Sequence, residues 1–294
     1  MSLRALLASV LLAACKHTDS TPVTRVVLPE IDAGQIAAVD SGQPEKHDAA
    51  PSVTMVAERV SVGGGRSFLW ARTGTEPANA PLLMVLHGDG GDGQGMRNDV
   101  GAALEKLAFA QVQFVYPDGV GRTWDTNTVG SPADLAYLEA IRGSFTGARA
   151  PRAVYLFGYS RGGFMANLLA CEHSDWVTAI ASNAGGAPYA TSIKGSDGVS
   201  RCPGQKPVAS IALHGMQDTE VAFADAPWTG AYWANINGCD MNTMVATGES
   251  VCKAYASCPV ATPSWFCAVP GVGHSVWSEA PRVAWGFFSS LPTK

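Results

Sequence analysis

A serine between closely spaced glycines is the feature of this sequence that most directly indicates chemistry. The motif Gly-Tyr-Ser-Arg-Gly places Ser160 between Gly158 and Gly162. An apolar, strand-like run at 154–157 precedes the motif, and a helix-like run at 164–169 follows it. G-x-S-x-G at a strand-to-helix turn exposes the serine, and the turn is so tight that side chains at the glycine positions would collide with their neighbours. We therefore predict that Ser160 is a nucleophile.

A serine hydroxyl needs a base to take its proton and an acid to orient that base. After a nucleophile elbow, the acid and then a histidine follow along the chain. His274 lies in a glycine-rich loop after the apolar run 265–269 and is the predicted base. His173 falls at the end of the helix that follows Ser160, where we expect a surface or packing role.

Asp218 is the predicted acid. It follows a strand-like run at 208–213 and a short turn, an arrangement that would place its carboxylate at the same sheet edge as Ser160. His214 shares this turn, and we expect it to brace the loop rather than to act as the base. Three other aspartates lie in loops without a comparable strand before them and remain alternatives, namely Asp197, Asp225 and Asp240.

Acyl transfer also needs hydrogen-bond donors for the developing oxyanion. The backbone N–H of Arg161, which opens the helix after the serine, is one predicted donor. The glycine-rich loop 86–93 should supply the second, which we assign to the N–H of Asp89, with Gly90 as the alternative. The Asp89 carboxylate should turn away from the site, because it would repel an oxyanion. A calcium site at Asp89 and Asp92 is disfavoured, because the D-x-[DN]-x-[DN]-G spacing is missing.

The rest of the sequence predicts an α/β fold with a mainly parallel central sheet and helices on both faces, because strand-like and helix-like runs alternate. The candidate strands are 67–71, 82–86, 112–116, 154–158, 176–181 and 208–213, and the candidate helices are 100–110, 132–142, 162–171, 229–236 and 281–290.

Composition excludes several classes of protein. Of the 294 residues, 47% are hydrophobic and 15% are charged, a balance that argues against disorder over most of the length. The net charge is -5 and the lysines and arginines do not cluster, so no nucleic-acid partner is expected.

The N-terminus predicts export. The apolar run 5–14 is too short to span a bilayer, is typical of a signal peptide, and ends in Leu-Ala-Ala-Cys at Cys15. This ending resembles the lipobox of bacterial lipoproteins, so we predict a signal peptide at 1–14 and a lipidated Cys15. A membrane association through this lipid anchor alone is expected, and an ordinary secretory signal is the alternative. Residues 15–52 are expected to form a disordered tether, and residues 53–294 a catalytic domain.

Cysteine usage agrees with an exported protein. Besides Cys15 there are six cysteines, which allow 15 disulfide pairings. We expect Cys202 to pair with Cys171, and Cys239 and its neighbours to restrain the region between the acid and the base. No zinc signature is present, since no C-x-x-C pair occurs, and neither a metal nor a cofactor is expected.

Several motifs together resemble the esterase family of poly(3-hydroxybutyrate) depolymerases, feruloyl esterases and acetylxylan esterases. They occur in the family's order from about residue 58 to 290. Four are short motifs, Leu-His-Gly at 86–88, Tyr-Pro-Asp-Gly at 116–119, Gly-Tyr-Ser-Arg-Gly-Gly at 158–163 and Gly-Val-Gly-His at 271–274. The other matching segments are 134–138, 213–218 and 233–239. The resemblance implies the α/β-hydrolase fold, a triad of Ser160, His274 and Asp218, and ester hydrolysis without a cofactor. One departure concerns the substrate rim: Trp277 stands three residues after the histidine, where the family commonly has tryptophan two residues after it and then proline.

The function expected from the sequence is that of an exported serine esterase, either a bacterial cell-envelope lipoprotein or an extracellular protein. Its substrates would be small or polymeric esters with short-chain or aromatic acyl groups, such as acylated polysaccharides or hydroxyalkanoate polyesters, cleaved through an acyl-enzyme. A serine peptidase on the same fold and a non-catalytic binding lipoprotein are the alternatives. Among the tryptophans, Trp124 could line the rim or pack under its loop, whereas Trp228, Trp233 and Trp265 are expected in the core.

Overall fold

A computed structural model describes residues 53–129, 132–189, 191 and 193–292. The predicted signal peptide at 1–14, Cys15 and the tether at 15–52 lie outside the described residues. Within these ranges, no helix has the length and apolar character that a bilayer crossing requires.

Twelve strands are present in the described part of the chain. They are β1 Val56–Ser61, β2 Ser67–Arg72, β3 Leu82–Leu86, β4 Gln113–Pro117, β5 Val154–Tyr159, β6 Ala179–Asn183, β7 Ile193–Lys194, β8 Ser200–Arg201, β9 Ala209–Gly215, β10 Asp240–Ala246, β11 Cys252–Ala256 and β12 Ser264–Val269. The α-helices of the same part are α1 Gly93–Met96, α2 Ala102–Leu107, α3 Ala133–Ser144, α4 Arg161–Glu172, α5 Ala226–Ile236 and α6 Ala280–Ser289, with a π-helical turn at Arg97–Gly101 joining α1 to α2.

Ten of these strands form one sheet in the order β1-β2-β4-β3-β5-β6-β9-β12-β11-β10. Six central strands run parallel to one another: β4, β3, β5, β6, β9 and β12. At the two edges the strands pair antiparallel, β1 and β2 beside β4, and β11 and β10 beside β12. The predicted parallel core is therefore confirmed. The candidate strands did not include the edge strands β1, β10 and β11, because exposed strands such as β1 and β10 lack the apolar runs that mark a buried strand.

Helices cover both faces of the sheet, as predicted. On one face, buried side chains of α3, α4 and α5 pack against alternate residues of the central strands, with Trp233 among the largest. On the other face, α2 and α6 do the same, and the ring of Phe288 stacks on Tyr155 at a centroid distance of 4.9 Å. Each central strand contributes apolar side chains to both faces of the sheet, since successive side chains point in opposite directions.

Three disulfides join the six cysteines of this domain. Cys171 at the end of α4 pairs with Cys202, as expected. The other two bonds are Cys239–Cys258 and Cys252–Cys267, both within the region between Asp218 and His274. Cys252 and Cys267 face each other across β11 and β12, so this bond fixes the antiparallel edge to the strand that leads to His274.

The turn after β5 depends on close backbone packing. Ser160 has φ 50° and ψ -120°, a left-handed conformation that is rare for a residue with a side chain. A Cβ atom at Gly158 would lie 2.7 Å from the backbone nitrogen of Gly163, and one at Gly162 would lie 2.7 Å from the carbonyl carbon of Leu86. These two positions therefore admit only glycine without a backbone shift.

Substituting Gly158 should show how much this close backbone packing contributes to stability. We expect Gly158→Ala to lower the free energy of unfolding by about 1–3 kcal/mol or more, because backbone atoms must move to admit the methyl group. Gly143→Ala in α3 is the matched control, since its Cβ would meet no atom within 4 Å. It should be neutral or raise stability by about 0.5–1 kcal/mol. Denaturant unfolding of both variants measures the difference, and equal effects would contradict the packing argument.

Candidate active site

Ser160, His274 and Asp218 meet at the carboxyl edge of the parallel strands. Ser160 follows β5, Asp218 follows β9 and His274 follows β12, so three separated segments of the chain converge. His274 Nε2 lies 2.8 Å from Ser160 Oγ, and His274 Nδ1 lies 2.8 Å from Asp218 Oδ2. The geometry is that of a nucleophile, a base and an orienting acid connected by hydrogen bonds.

The Asp218 carboxylate is fully buried, and its oxygens are occupied by donors. Oδ1 accepts the backbone N–H groups of Glu220 and Val221, both at 3.0 Å, while Oδ2 accepts from His274. Burial is the strongest influence and raises the pKa of Asp218, but the hydrogen bonds from His274, Val221 and Glu220 outweigh it and hold the pKa below its usual value. The acid is therefore ionised where it faces the imidazole.

None of the alternative residues takes the position of a triad member. His173 ends α4 and packs on the Trp176 ring at a centroid distance of 5.3 Å. His214 Nε2 lies 2.8 Å from the Val221 carbonyl oxygen and 3.2 Å from Asp218 Oδ2, so it contacts the loop and the carboxylate of the acid, which fits the expected bracing role. None of the three alternative aspartates contacts His274: Asp197 pairs with Arg201, Asp225 is exposed, and Asp240 accepts a backbone bond from Asn242.

The two predicted oxyanion donors lie on neighbouring segments. Neither the Asp89 N–H nor the Arg161 N–H has an acceptor in the part of the chain that the structure describes. The Gly90 N–H donates to the Arg122 carbonyl at 2.8 Å, so it is already used. The Asp89 carboxylate turns toward the Arg161 guanidinium, whose Nε lies 3.3 Å away, and accepts from the Thr123 hydroxyl. Asp89 is thus favoured over Gly90, with its charge directed away from the backbone donors.

His87 braces the loop that carries Asp89, a role that the sequence did not reveal. Gly119 N–H donates to His87 Nε2 at 2.9 Å, so the ring proton sits on Nδ1, which donates to the Gly88 carbonyl at 2.7 Å. Trp124 Nε1 donates to the His87 carbonyl at 2.8 Å. Burial is the main cause that lowers the pKa of His87, against the opposing effects of Gly88 and two carboxylates. Trp124 is itself buried, so it packs under the loop instead of lining the rim.

Tyr159, which precedes Ser160, fixes the loop that carries His274. Its hydroxyl donates to the His274 carbonyl at 2.9 Å, and Asn183 Nδ2 donates to the Ser275 carbonyl at 3.1 Å. Both donors belong to the central strands β5 and β6 and reach residues about a hundred positions away in sequence. No local pattern in the sequence could have indicated these contacts.

Two grooves flank the triad. The first, with a volume of about 570 Å³, has aromatic walls that include Phe164, Tyr189 and Trp228, and we call it the aromatic groove. The second, of about 380 Å³, is lined by residues that include Tyr159, Ser275 and Trp277, so the tryptophan after the histidine lines a groove of its own. The expectation that Trp228 lies in the core was wrong: it is 51% exposed, because it sits on the first turn of α5 facing away from the sheet.

No group of three or more metal-ligating side chains occurs among residues for which the structure gives positions.

Comparison with known proteins agrees with this architecture. An acetyl xylan esterase from Aspergillus awamori superimposes with a TM-score of 0.63 over 79% of this chain and 99% of that chain, at 17% sequence identity. The chain has the α/β-hydrolase fold. The nucleophile elbow after a central strand and the order serine, aspartate, histidine are features of the same fold.

The sequence relatives of this α/β-hydrolase carry esterase names. It is 34% identical over 192 residues to NocK of Nocardia uniformis, named as an esterase, with 61% of this chain and 56% of the relative covered. It is 28% identical over 220 residues to feruloyl esterase C of Emericella nidulans, covering 70% of this chain and 77% of the relative. No family model matches the chain. The chain thus spans just over half the length of NocK.

We predict that the hydrogen bonds of the neutral His87 ring make a pH-dependent contribution to the stability of this α/β-hydrolase. Because the folded-state pKa lies below the ordinary 6.5, the unfolded chain binds more protons below about pH 6.5, and stability falls as pH falls through that value. His87→Phe removes the acceptor of the Gly119 N–H and should cost about 1–3 kcal/mol at pH 8. The difference between wild type and variant should shrink toward pH 5.

Denaturant unfolding at several pH values measures this difference. His173→Phe is the matched control, since the His173 ring packs on the Trp176 ring and none of the hydrogen bonds described for this chain has that imidazole as the acceptor of a backbone N–H. A His87→Phe deficit that stays constant from pH 8 to pH 5 would contradict the neutral, accepting imidazole.

Proposed function

We propose that this protein is a serine carboxylic-ester hydrolase that works through an acyl-enzyme. The observation that carries the proposal is the continuous hydrogen-bonded series from Ser160 Oγ through the His274 ring to the buried Asp218 carboxylate, with both bonds at 2.8 Å. The esterase names of the sequence relatives support the same reaction class.

In the proposed acylation, His274 Nε2 accepts the Ser160 proton while Oγ attacks the ester carbonyl carbon. The carbonyl electrons move onto oxygen, and the oxyanion accepts hydrogen bonds from the Arg161 and Asp89 N–H groups. When the tetrahedral intermediate collapses, the alcohol leaves and receives the proton from His274. A water molecule, deprotonated by His274, then attacks the acyl-enzyme and releases the acid.

The Asp89–Arg161 ion pair supports this assignment of the oxyanion donors. The two residues proposed to donate backbone N–H groups also contact each other through their side chains, with 3.3 Å between Arg161 Nε and Asp89 Oδ2. Arg161 Nη1 also donates to Thr126 Oγ1 at 3.1 Å. These contacts connect the loop and the helix start, so the spacing between the two donors is held before a substrate arrives.

We propose short-chain or aromatic acyl esters as substrates, including those of acylated polysaccharides or hydroxyalkanoate polyesters. Two open grooves beside the triad can hold the two halves of such an ester, and the disulfide from Cys171 to Cys202 restrains the segment that forms part of the aromatic groove. The mechanism needs no cofactor, because His274 moves the proton and backbone amides stabilise the charge.

Triad substitutions test the mechanism. We expect Ser160→Ala and His274→Ala each to lower kcat for a short-chain ester by at least about 10³-fold, and the double variant to lose little more, because the residues act as a unit. Asp218→Asn should lose about 10³-fold to 10⁴-fold with the fold intact, since the imidazole loses its orienting partner. Asp240→Asn is the matched control and should keep its activity. Strictly additive losses would count against the triad.

Two further measurements distinguish the alternatives. A fluorophosphonate should label wild type but not Ser160→Ala, whereas a binding protein would not be labelled. Comparison of an ester with its matched amide separates an esterase from a peptidase, which would cleave the amide at a comparable kcat/KM.

We also propose that the chain is exported and anchored by lipid at Cys15. The N-terminal residues 1–15 support this through their resemblance to a lipoprotein signal, and the disulfides fit an oxidising compartment. We expect wild type in the membrane fraction of a bacterial host and Cys15→Ser outside it, because a diacylglyceryl group holds far better than a single chain. Fractionation and intact-mass analysis provide the readout, and a wild-type protein without lipid mass would contradict the anchor.

A further inference from the structure

The aromatic groove lies next to the triad, since its lining includes Glu220 and Val221, whose backbone N–H groups donate to Asp218. Phe164 lies one helical turn after Ser160, whose carbonyl accepts the Phe164 N–H at 3.1 Å. Glu220, on the opposite side, places Oε2 at 4.0 Å from His274 Nε2, the nitrogen that faces the serine. A substrate group held beside Glu220 would therefore lie near the His274 ring.

The charge of the groove is negative. Its described lining contains two carboxylates, Glu220 and Asp225, and no lysine or arginine. Two arginines near the groove are held in ion pairs, Arg161 with Asp89 and Arg201 with Asp197 at 2.7 Å, while Lys194 lies opposite the lining residue Ser200 across β7 and β8. Within the described chain, Glu220 approaches only His274 as an ion-pair partner, and its side chain is 74% exposed. A carboxylate without a cation partner attracts positive groups into a cleft.

The walls of the groove are aromatic faces that the fold leaves exposed. Trp228 and Tyr189 are 51% and 47% exposed, although large apolar side chains are usually buried. The rings of Phe164 and Tyr189 are nearly perpendicular, at 82°, with centroids 5.9 Å apart. Aromatic faces attract a cation through their quadrupole, and tryptophan does so best.

Glu220 is not placed to act as the acid of the triad. The orienting acid contacts Nδ1 of the histidine, and Asp218 holds that position at 2.8 Å. Glu220 stands on the Nε2 side, where the substrate must enter. Its charge therefore faces the substrate rather than the ring nitrogen that needs orientation.

We propose that the aromatic groove selects esters that carry an ammonium group, with Glu220 and Trp228 as specificity-determining residues. This inference rests on the proposed esterase function and adds to it the charge of the preferred substrate. An ammonium group would lie against the Trp228 face with Glu220 nearby, whereas an anionic substrate group would be repelled. Hydrolysis itself is unchanged and needs no further reactant.

Matched substrate pairs test the selection by charge. On the alcohol side, acetylthiocholine is compared with its neutral carbon isostere, in which a tert-butyl group replaces trimethylammonium. On the acyl side, the phenyl ester of γ-trimethylammoniobutyrate is compared with its own tert-butyl isostere. We expect the kcat/KM ratio of cationic to neutral ester to exceed one for at least one pair, and to fall as salt is added.

Variants identify the groups responsible. Glu220→Gln should lower that ratio at least about three-fold, and Trp228→Ala should also lower it while Trp228→Phe retains most of it. The ratio cancels effects of Glu220 on the triad, because both esters use the same triad. Glu139→Gln is the matched charge control, since Glu139 is exposed on α3, and it should leave the ratio unchanged. Ratios below one for both pairs, or ratios unaffected by Glu220→Gln, would overturn the proposal.

A failure of the proposed esterase function can be distinguished from a failure of the proposed ammonium selection. If no ester of either pair is hydrolysed in a Ser160-dependent manner, the proposed function is wrong. The binding of tetramethylammonium to full-length Ser160→Ala protein, measured by calorimetry, still tests the groove without turnover. Binding that Glu220→Gln weakens would support an ammonium site, and no binding would overturn it.

Discussion

Ser160 occupies a backbone conformation, φ 50° and ψ -120°, that a residue with a side chain rarely adopts, and the surrounding packing has to hold it there. Gly158 and Gly162 permit this because the turn after β5 and the start of α4 pass against each other and against the end of β3 at backbone distance. The same close approach brings the loop after β3, which carries Asp89, beside Ser160. The other residues of the site lie on the loops and strand ends that pack around this turn.

Charge is distributed around the His274 ring according to burial. The Asp218 carboxylate, on the Nδ1 side, is inaccessible to solvent and is saturated by hydrogen bonds. The Glu220 carboxylate, on the Nε2 side, is mostly exposed. A buried, fully bonded charge is fixed in direction and orients the ring, whereas an exposed charge remains available to a substrate. Two carboxylates two residues apart in sequence thus acquire different uses from their surroundings.

The support of the base comes from the least regular part of the sheet. His274 follows β12, whose outer neighbour β11 belongs to an antiparallel edge with little buried apolar surface. The disulfide between Cys252 and Cys267 joins β11 to β12 across their ladder, and Cys239–Cys258 closes the adjoining region. Covalent cross-links limit the freedom of the unfolded chain and so stabilise a region whose core is small.

The sequence by itself determined the features that depend on local pattern and chain order. The turn at Ser160 and the positions of Asp218 and His274 after strands could each be predicted because short segments encode strand, turn and helix. Alternating apolar runs were enough to predict a parallel sheet with helices on both faces. Only the tertiary structure favoured Asp89 over Gly90, because the Gly90 N–H is taken by Arg122, 32 residues away. The tertiary structure alone also shows that His87 braces the loop and that Trp124 is buried, whereas Trp228 is exposed in the aromatic groove. These outcomes depend on which distant groups come into contact, and sequence spacing does not specify contacts between segments that meet only when the sheet is assembled.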